Sequence, residues 1–339
     1  MNNLLGENFD KSIIDNKVFL ITGGTGSFGN AFTKTLLDEF SPKKVIIFSR
    51  DEDKQHYMRI NFQGHEKFDR LRFFIGDIRD LLRLEMAMIG VDYIIHAAAL
   101  KHVPAAEYNP FECIKTNVYG AENIVNAAIR TGVKKVIALS TDKAANPVNL
   151  YGASKLASDK IFVAANNLSA KKTLFSVVRY GNVIGSRGSV VPLFRKLIEE
   201  NKPYLPITHE DMTRFWLTIN QGVNFVLSSI GMMNGGEVFV PKIPSAKITD
   251  VAKVMAPEKP IKIIGIRPGE KLHEIMITPD DARNTLDIGD RYIICPEIIL
   301  GSNLIKDTAK KLVPEDFQYA SNTNSDWLSN DLISIMIDS

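Results

Sequence analysis

The chain has 339 residues and a mass of 37.8 kDa, enough to bury the core of one large domain or roughly two ordinary ones. Its 41 basic and 39 acidic residues leave a formal net charge of +2, which argues against a protein that binds nucleic acid or anionic membranes through net charge. With 45% hydrophobic and 24% charged residues, the composition is that of a globular protein and excludes the disordered and fibrous classes.

The first residues of the chain carry no recognisable targeting signal. Residues 1–17 mix Asn, Glu, Asp and Lys with short apolar pairs, without the uninterrupted apolar stretch that a signal peptide needs. The most apolar runs further along are too short to cross a bilayer as helices. The two cysteines, Cys113 and Cys295, lie far apart and have no companions at metal-ligand spacing. We therefore expect a cytoplasmic protein without a membrane association, a disulfide framework or a metal site.

Short apolar runs alternate with segments of helical period in the first half of the chain. The runs are VFLIT, VIIFS, LRFFIG, YIIHAA and VIALS. Apolar runs without polar alternation are typical of strands covered on both faces, and right-handed crossovers then give a doubly wound parallel sheet. Ser176–Tyr180 and residues 237–240 are candidate further strands of this α/β fold.

The pattern changes beyond about Asn182, where Gly and Pro punctuate shorter elements. We expect residues 1–181 to form mainly the sheet domain. Residues 182–339 should form mainly a smaller α/β cap over the carboxyl edge of the sheet, the two parts being interleaved in one unit. The polar stretch after Gly301 is either a tail or part of the cap.

A glycine-rich loop follows the first predicted strand and leads into a helix that should begin near Asn30. The loop consists of Gly23, Gly24, Thr25, Gly26, Ser27, Phe28 and Gly29. Glycines allow the backbone to turn tightly and to approach a pyrophosphate, whose charge then lies over the helix N-terminus. Because the loop ends the first strand of a βαβ unit, it predicts dinucleotide binding and not merely a tight turn.

The ends of the next strands indicate the kind of dinucleotide. An acidic residue usually binds the ribose 2′-hydroxyl of NAD after the second strand, but this chain has Ser49 and Arg50 there. A hydroxyl and a guanidinium suit a 2′-phosphate, which favours NADP. The alternative is that Arg50 is a surface charge and that Asp51 binds the ribose.

Small and polar residues follow the third and fourth strands. Asp77 and Ile78, after Gly76, should lie beside the adenine. The run from Ala97 to Ala99 permits close approach of the cofactor, although such small residues also suit packing of a helix on a strand.

The fifth strand ends in a cluster of polar residues that predicts catalysis. Thr141, Asp142 and Lys143 stand at its carboxyl end, where side chains point into the ligand crevice of such sheets. Tyr151 and Lys155 follow at i and i+4 on one helix face, so the ammonium can hold the ribose and lower the pKa of the phenol. A phenol of this kind can move a proton from a sugar hydroxyl while hydride leaves the same carbon for nicotinamide. The alternative is a helix that carries this common pair by chance.

These motifs resemble those of the extended short-chain dehydrogenase/reductases that act on nucleotide sugars. The segments concerned are TGGTGSFG, STDK and YGASK. Longer segments are similar to those of the soluble UDP-N-acetylglucosamine 4,6-dehydratases that invert C5 and begin pseudaminic acid synthesis for flagellin glycosylation; they are HAAALKHVPAAEYNPFECIKTNVYGAENI, ALSTDKAANPVNLYGASK, VVRYGNVIGSRGSVVP, DMTRFW and IRPGEKLHE. The resemblance runs from about Lys17 to the end of the chain. It implies a Rossmann-like NADP-binding domain, a substrate-binding cap, a UDP-N-acetylglucosamine substrate and a homo-oligomer.

The resemblance also implies a division of catalytic roles. Tyr151 would deprotonate the C4 hydroxyl, and the resulting ketone would acidify the C5 hydrogen. Lys143 resembles the base that removes this hydrogen, Asp142 the acid that expels the C6 hydroxyl, and Thr141 a polar helper. Cofactor would be regenerated within each turnover and stay bound.

These roles demand two unusual protonation states. Lys143 must be neutral part of the time, as burial in a closed site and repulsion by Lys155 would make it. Asp142 must hold a proton, which needs burial away from cations or a neighbouring diphosphate. The alternative is that the two residues merely form a local ion pair at the strand end.

Further residues are assigned to ligands by the resemblance. Those expected around the cofactor, besides the residues of the glycine loop and strand ends named above, are Lys54, Lys101, Thr116 and Val183. Those expected around the substrate are Lys101, Asn182, Arg187, Gly188, Ser189, Val190, Arg214, Arg267, Glu270, Tyr319, Ser321 and Asn322. Arginine suits a diphosphate because its planar fork makes paired hydrogen bonds.

Several of these residues have a structural alternative. Arg214 is either a diphosphate ligand or a member of a structural ion pair. His96 and His102 lack metal-spaced partners, which favours packing or hydrogen-bonding roles over ligation. Trp216 and Phe225 are core or oligomer contacts before they are substrate platforms.

Two other functions compete with the dehydratase. A UDP-N-acetylhexosamine 4-epimerase would share the glycine loop and the Tyr–Lys pair, and it needs no acid–base pair for loss of water. A non-catalytic dinucleotide sensor would be expected to lack either the Tyr–Lys pair or the acid and base at the strand end, and this chain has both.

Overall fold

A computed structural model describes residues 4–6, 9–170, 172–186, 188–296 and 311–338. Its strands, in chain order, are β1 (Val18–Thr22), β2 (Lys44–Ser49), β3 (Leu71–Ile75), β4 (Tyr93–His96), β5 (Lys135–Thr141), β6 (Leu174–Tyr180), β7 (Asn182–Val183), β8 (Leu205–Ile207), β9 (Thr213–Leu217), β10 (Val238–Pro241), β11 (Ser245–Lys247), β12 (Ile261–Ile263), β13 (Ile275–Ile277), β14 (Thr285–Asp287), β15 (Arg291–Ile294), β16 (Lys311–Leu312) and β17 (Tyr319–Ala320).

Its α-helices, in chain order, are α1 (Ser27–Glu39), α2 (Glu52–Phe62), α3 (Leu81–Met88), α4 (Val103–Tyr108), α5 (Pro110–Ile114), α6 (Gly120–Thr131), α7 (Leu150–Leu168), α8 (Val190–Glu199), α9 (Ile219–Met232), α10 (Ile248–Met255), α11 (Pro279–Ala282) and α12 (Asn330–Asp338). A π-helical turn, Lys115–Tyr119, precedes α6. Short 3₁₀ turns cover Lys11–Ile13, Phe68–Arg70 and Asp142–Ala144. No helix among the described residues is both long and apolar enough to cross a membrane.

The main sheet has the strand order β3-β2-β1-β4-β5-β6-β10, followed by β15, β14 and β16. Neighbours from β3 to β10 pair in parallel, whereas β15, β14 and β16 pair antiparallel at one edge. The order 3-2-1-4-5-6 is that of dinucleotide-binding sheets. The prediction of a doubly wound sheet is therefore confirmed, and the antiparallel edge is an addition that the apolar runs did not indicate.

Helices cover the sheet in the manner expected for buried strands. α3 packs on α6 and α6 on α7, while α1 packs against α9. Their apolar sides join the strands in one large core that includes Phe225. Burial of both sheet faces explains why the strand sequences lack polar alternation.

The cap has a second, smaller core. It contains Trp216, which is 2% exposed, together with residues of α8, α10 and α12. Three small sheets, β11-β9-β7, β12-β8 and β13-β17, build its framework. Four strands that follow residue 182, namely β10, β14, β15 and β16, nevertheless belong to the main sheet. The cap is thus connected to the sheet domain by several chain crossings and not by a single linker.

Candidate active site

A cleft of about 690 Å³ opens at the carboxyl ends of the parallel strands. Every residue predicted to hold the cofactor lines it; these are Gly23, Thr25, Gly26, Ser27, Phe28, Gly29, Ser49, Arg50, Asp51, Lys54, Asp77, Ile78, Ala97, Ala98, Lys101, Thr116, Tyr151, Lys155 and Val183. The parallel sheet explains this convergence, because successive strands end at the same edge.

The glycine loop forms a close-packed cradle at the floor of the cleft. Gly23 has a φ of +64°, and a Cβ there would lie 2.9 Å from the Ala98 backbone. A Cβ at Gly29 would lie 2.3 Å from the Gly24 carbonyl oxygen. The helix α1 begins at Ser27, three residues before Asn30, where the sequence predicted its start. Because residue 29 is a glycine, the first helical turn can lie against the loop.

The cradle fits the diphosphate of a dinucleotide. Gly26 caps α1 without a side-chain acceptor, so no side chain of the cap competes for the first N–H groups of the helix. Among the described residues that line the cleft, the Thr116 hydroxyl is buried without a hydrogen-bond partner. Both features suit a bound polar ligand that donates and accepts hydrogen bonds there.

Arg50 and Asp51, at the end of the cleft where the ribose is expected, have different contacts. One Asp51 oxygen accepts from the Lys54 backbone at the start of α2, and the other lies 2.5 Å from the Lys54 ammonium. Arg50 is 55% exposed, and its guanidinium lies 3.5 Å from an Asp77 oxygen. Asp51, the carboxylate that would bind the ribose of NAD, is thus engaged by Lys54 at the start of α2. The Arg50 guanidinium lies at the cleft.

Tyr151 and Lys143 face the same cleft from α7 and from the 3₁₀ turn after β5. The Tyr151 hydroxyl shares a hydrogen bond with the Thr141 side chain. Burial raises the pKa of Tyr151 to about 12, against the charge of Lys143, which lowers it. Lys143 is thus a cation that lowers the pKa of Tyr151 besides the predicted Lys155, whose effect on the phenol stays a prediction.

Lys155 lines the cleft and is hydrogen-bonded to the end of β5. Its ammonium donates to the Leu139 carbonyl oxygen at 2.7 Å. Burial lowers the pKa of Lys155, while the charge of Asp159 opposes that effect. Asp159 accepts from the Ser140 hydroxyl at 2.7 Å and lies 3.4 Å from the Arg179 guanidinium. Asp159 could have been found in the sequence, since it stands four residues after Lys155 on the same helix.

A buried cluster of charges surrounds Lys143. Its ammonium lies 3.0 Å from Asp142 Oδ1 and 3.0 Å from Glu274 Oε1. Burial disfavours the charged lysine, but the two carboxylates outweigh burial and raise the pKa of Lys143 above its ordinary value. Lys143 is thus an ammonium in this arrangement, and the expected neutralisation by burial and Lys155 is wrong.

Asp142 is the carboxyl group of this cluster that retains a proton most readily. It is fully buried, and burial followed by the charge of Glu274 raises its pKa, although Lys143 and Thr141 lower it. Its Oδ1 accepts from the Thr141 hydroxyl at 2.9 Å. Burial and a second buried carboxylate thus favour a proton on Asp142 even though a cation lies beside it.

The two histidines, for which the sequence favoured packing or hydrogen-bonding roles, lie in different surroundings. His96 shares a 2.8 Å hydrogen bond with the Thr22 hydroxyl, and burial followed by the charge of Lys155 lowers its pKa to about 3. His102 lines the cleft beside Gly188, where a Cβ would lie 2.6 Å from the imidazole. No metal-binding cluster of His, Cys, Asp or Glu occurs in the part of the chain that the structure describes.

Only some of the residues predicted to bind substrate line the cleft. Lys101, Asn182, Gly188 and Ser189 line the cleft. Val190 begins α8, Asn322 is exposed in the turn after β17, and Arg187 lies outside the described residues. Tyr319 donates to the Ile243 carbonyl oxygen at 3.0 Å, and Ser321 shares a 2.7 Å hydrogen bond with Thr213. These last two side chains connect segments of the cap.

Arg214 makes the contacts of a structural residue. It is 7% exposed and donates to the carbonyl oxygens of Thr213, Lys271 and Leu272. Its guanidinium also lies 3.7 Å from Glu270 and 3.6 Å from Glu274. Arg267 is exposed, and its backbone N–H donates to Glu270. The side chains of Arg214, Arg267, Glu270 and Glu274 are not part of the cleft lining described above.

Comparison with known proteins shows similarity to one protein family, to two curated relatives and to a solved structure. Residues 19–296 match the family of polysaccharide biosynthesis proteins. A UDP-N-acetylglucosamine 4,6-dehydratase (inverting) of Campylobacter jejuni subsp. jejuni serotype O:23/36 is 56% identical over 94% of this chain and 96% of its own length. A UDP-glucose 4-epimerase of Rickettsia canadensis is 44% identical over 82% of each chain. Among solved structures, Pen from Bacillus thuringiensis has a TM-score of 0.87 and 36% identity, covering 96% of this chain and 98% of that one.

Proposed function

The chain belongs to the polysaccharide biosynthesis protein family, and from that premise we propose that it is a UDP-N-acetylglucosamine 4,6-dehydratase that inverts C5. One observation carries the proposal: Lys143 and Tyr151 line a single cleft, and Asp142 lies 3.0 Å from the Lys143 ammonium. An epimerase needs a group that moves a proton at C4, whereas loss of water also needs a base for C5 and an acid for the C6 hydroxyl. The relative with 56% identity carries that activity in its name.

Tyr151 acts first in the proposed reaction. The phenolate form of Tyr151, which the charge of Lys143 and the contact with Thr141 favour, takes the proton of the C4 hydroxyl as that carbon is oxidised. The residues that line the cleft would hold a nicotinamide dinucleotide, which would supply the capacity to accept a hydride from C4 and to return it to C6. The ketone at C4 then acidifies the hydrogen on C5.

Lys143 and Asp142 complete the elimination by exchanging one proton. Transfer from the Lys143 ammonium to Asp142 Oδ1, 3.0 Å away, produces a neutral amine and a protonated carboxyl together. The amine removes the C5 proton, and the carboxyl gives its proton to the departing C6 hydroxyl, which leaves as water. Both side chains thereby return to the ion pair. A proton from solvent, added to C5 from the opposite face, completes the inversion, and Tyr151 returns to solvent the proton that it took from the C4 hydroxyl.

We also propose NADP as the resident dinucleotide. Arg50 stands at the ribose end of the cleft, and its guanidinium suits a 2′-phosphate. Asp51 is engaged by Lys54 through both carboxylate oxygens, so it is poorly available to a ribose hydroxyl. Residues up to 181, mainly, together with Val183 would hold this cofactor, while Asn182, Gly188 and Ser189 would contact the sugar nucleotide from the side of the cap.

Substitution of Arg50 by alanine tests the choice of dinucleotide. We expect the Kd for NADP to rise about 10- to 100-fold, because one charge-assisted contact to the 2′-phosphate is lost, while the Kd for NAD stays nearly constant. Titration calorimetry with both dinucleotides measures the change. The matched control is Arg59→Ala, an exposed arginine on α2. Equal effects on NADP and NAD would contradict the proposal.

The proposed product is UDP-2-acetamido-2,6-dideoxy-β-L-arabino-hex-4-ulose. By the family resemblance, this product is formed in the first step of pseudaminic acid synthesis. Pseudaminic acid in turn modifies flagellin or a surface glycan. The same resemblance suggests a homo-oligomer in the cytoplasm.

Incubation of the protein with UDP-N-acetylglucosamine in heavy water tests the function. Mass spectrometry should find a product that has lost water, and NMR should find deuterium at C5 with L-arabino couplings. A product of unchanged sugar mass would make the enzyme an epimerase. Gluco-type couplings from the earliest time point would place it among dehydratases that retain C5.

A further inference from the structure

Glu274, the last residue of the IRPGEKLHE segment, is a buried acid that was not among the predicted site residues. Its side chain is 1% exposed, and Oε1 lies 3.0 Å from the Lys143 ammonium. Glu274 precedes β13 in the cap, whereas Lys143 lies in the turn after β5. The pair therefore crosses from the cap to the catalytic turn.

The backbone of Glu274 is fixed by Ser321. Its N–H donates to the Ser321 hydroxyl at 3.0 Å, and the Ser321 N–H donates to the Glu274 carbonyl oxygen at 2.8 Å. The Ser321 hydroxyl also shares a hydrogen bond with Thr213. Three segments of the cap thus determine where this carboxylate stands.

The cap segment before Glu274 is also attached to the catalytic turn. Lys271 donates its ammonium hydrogen to the Ala145 carbonyl oxygen at 2.6 Å. The Asn149 side chain donates to the Gly269 carbonyl oxygen at 2.7 Å and caps α7, the helix that carries Tyr151. The approach of Glu274 to Lys143 is therefore supported by two contacts on the same segment.

The charges around Lys143 affect the ionisation of Asp142 and of Glu274 differently. Asp142 faces Lys143 from its own turn, Glu274 from the cap, and the Tyr151 phenol from α7. Arg214 lies 3.6 Å from Glu274 Oε1, and the Lys271 ammonium lies 4.0 Å from Oε2. Three cations thus favour the ionised form of Glu274. Burial raises the pKa of Glu274, but the charge of Lys143 and the other two cations outweigh burial, and the pKa is lowered overall. Asp142 is left as the carboxyl that exchanges protons.

We propose that Glu274 is a positioning residue that holds the ammonium of Lys143 at the cleft through their direct ion pair. The inference rests on the proposed function, since the role matters only if Lys143 is the base. An ionised Glu274 stabilises the ammonium that forms when Lys143 takes the C5 proton, which strengthens the base. It also leaves Asp142 free to give its proton to the leaving hydroxyl.

The substitution Glu274→Gln tests the inference in the full-length enzyme with its bound cofactor. We expect the pH at which Lys143 loses its proton to fall by at least about one unit, because an opposite charge within hydrogen-bonding distance is removed. Side-chain ¹³C NMR of labelled lysine follows this ionisation directly, and a Lys143→Arg protein assigns the signal. In parallel, the rise of kcat with pH should move to lower pH by a similar amount.

Two variants keep the test interpretable. Asp287→Asn removes the carboxylate of another lysine pair, Lys242–Asp287 at 2.7 Å, and should leave Lys143 unchanged. Glu274→Asp keeps the charge at a longer reach, so its shift should have the same direction and be smaller. This variant also serves if Glu274→Gln fails to fold.

An unchanged Lys143 ionisation in a folded Glu274 variant would overturn the inference. A Lys143 signal that shifts equally in Asp287→Asn would also overturn it. Failure of the proposed function has a different signature: wild-type protein would release no water from UDP-N-acetylglucosamine, whatever the NMR titration gives.

Discussion

Replacement of Tyr151 by phenylalanine is expected to lower the rate of water loss from UDP-N-acetylglucosamine by about 10²- to 10⁴-fold, the usual contribution of a positioned proton-transfer group. The substitution removes the hydroxyl that shares a hydrogen bond with Thr141. The ring itself packs with Ala106 and Cys113, so the apolar contacts remain. We therefore expect the free energy of unfolding to fall by only about 1 kcal/mol, the net worth of one hydrogen bond.

Mass spectrometry of the product gives the rate, and thermal unfolding followed by circular dichroism gives the stability. Tyr93→Phe is the matched control, because Tyr93 is buried in the core against Phe19 and lies away from the cleft. It should retain nearly full activity. Turnover by Tyr151→Phe within a few-fold of wild type would remove the phenol from the mechanism.

Replacement of Lys143 by alanine is expected to have a comparable effect on turnover and a larger one on stability. Without the amine, C5 keeps its hydrogen, so exchange of that position with heavy water should stop together with the loss of water. Two buried carboxylates, Asp142 and Glu274, also lose their shared ammonium. Removal of one partner from a buried pair costs about 3 kcal/mol, and the nearby Arg214 and Lys271 should reduce that cost for Glu274.

The pH dependence of this variant has a defined sign. Loss of Lys143 removes a cation that lowers the pKa of both Asp142 and Glu274. Carboxyl groups whose pKa in the folded state is raised destabilise the fold above that pKa and cease to do so as the pH falls through it. The stability deficit of Lys143→Ala relative to wild type should therefore be larger at neutral pH than in mild acid, as chemical denaturation at several pH values can measure.

Two companion variants test the proton partner of the base and exclude general effects. Asp142→Asn keeps the shape of the acid but can neither accept the Lys143 proton nor give one to the leaving hydroxyl, so it should block the loss of water and slow C5 exchange. Lys160→Ala removes an exposed lysine of α7 and should behave as wild type. Full dehydration by Lys143→Ala or by Asp142→Asn would exclude that residue from the mechanism.

Local sequence patterns were sufficient for the sheet and the cofactor cleft. The apolar runs predicted β1 to β6, and the structure has strands at each of them. The glycine loop and the strand ends then meet in one cleft, because a parallel sheet brings the ends of its strands together. The spacing of Tyr151 and Lys155 correctly indicated a helix, but it could not tell which way each side chain points.

Contacts in the cap could not be predicted in the same way. Arg214, Tyr319 and Ser321 were expected around the substrate, yet each has backbone or side-chain partners within the cap. Their residue types suit either role, and only the packing of distant segments decides between them. The antiparallel edge of β14, β15 and β16 was missed for the same reason: short strands far from their partners carry little periodic signal.

The sequence by itself determined the alternation of strands and helices, the glycine cradle and the presence of an acid, a base and a phenol near one another along the chain. Only the tertiary structure decided their protonation. Glu274 reaches Lys143 through the folding of the cap, and its charge adds to that of Asp142 in raising the pKa of Lys143 and to burial in raising the pKa of Asp142. The physical reason is that periodicity and spacing act over a few residues, whereas a pKa depends on every charge within a few ångströms, wherever it stands in the chain.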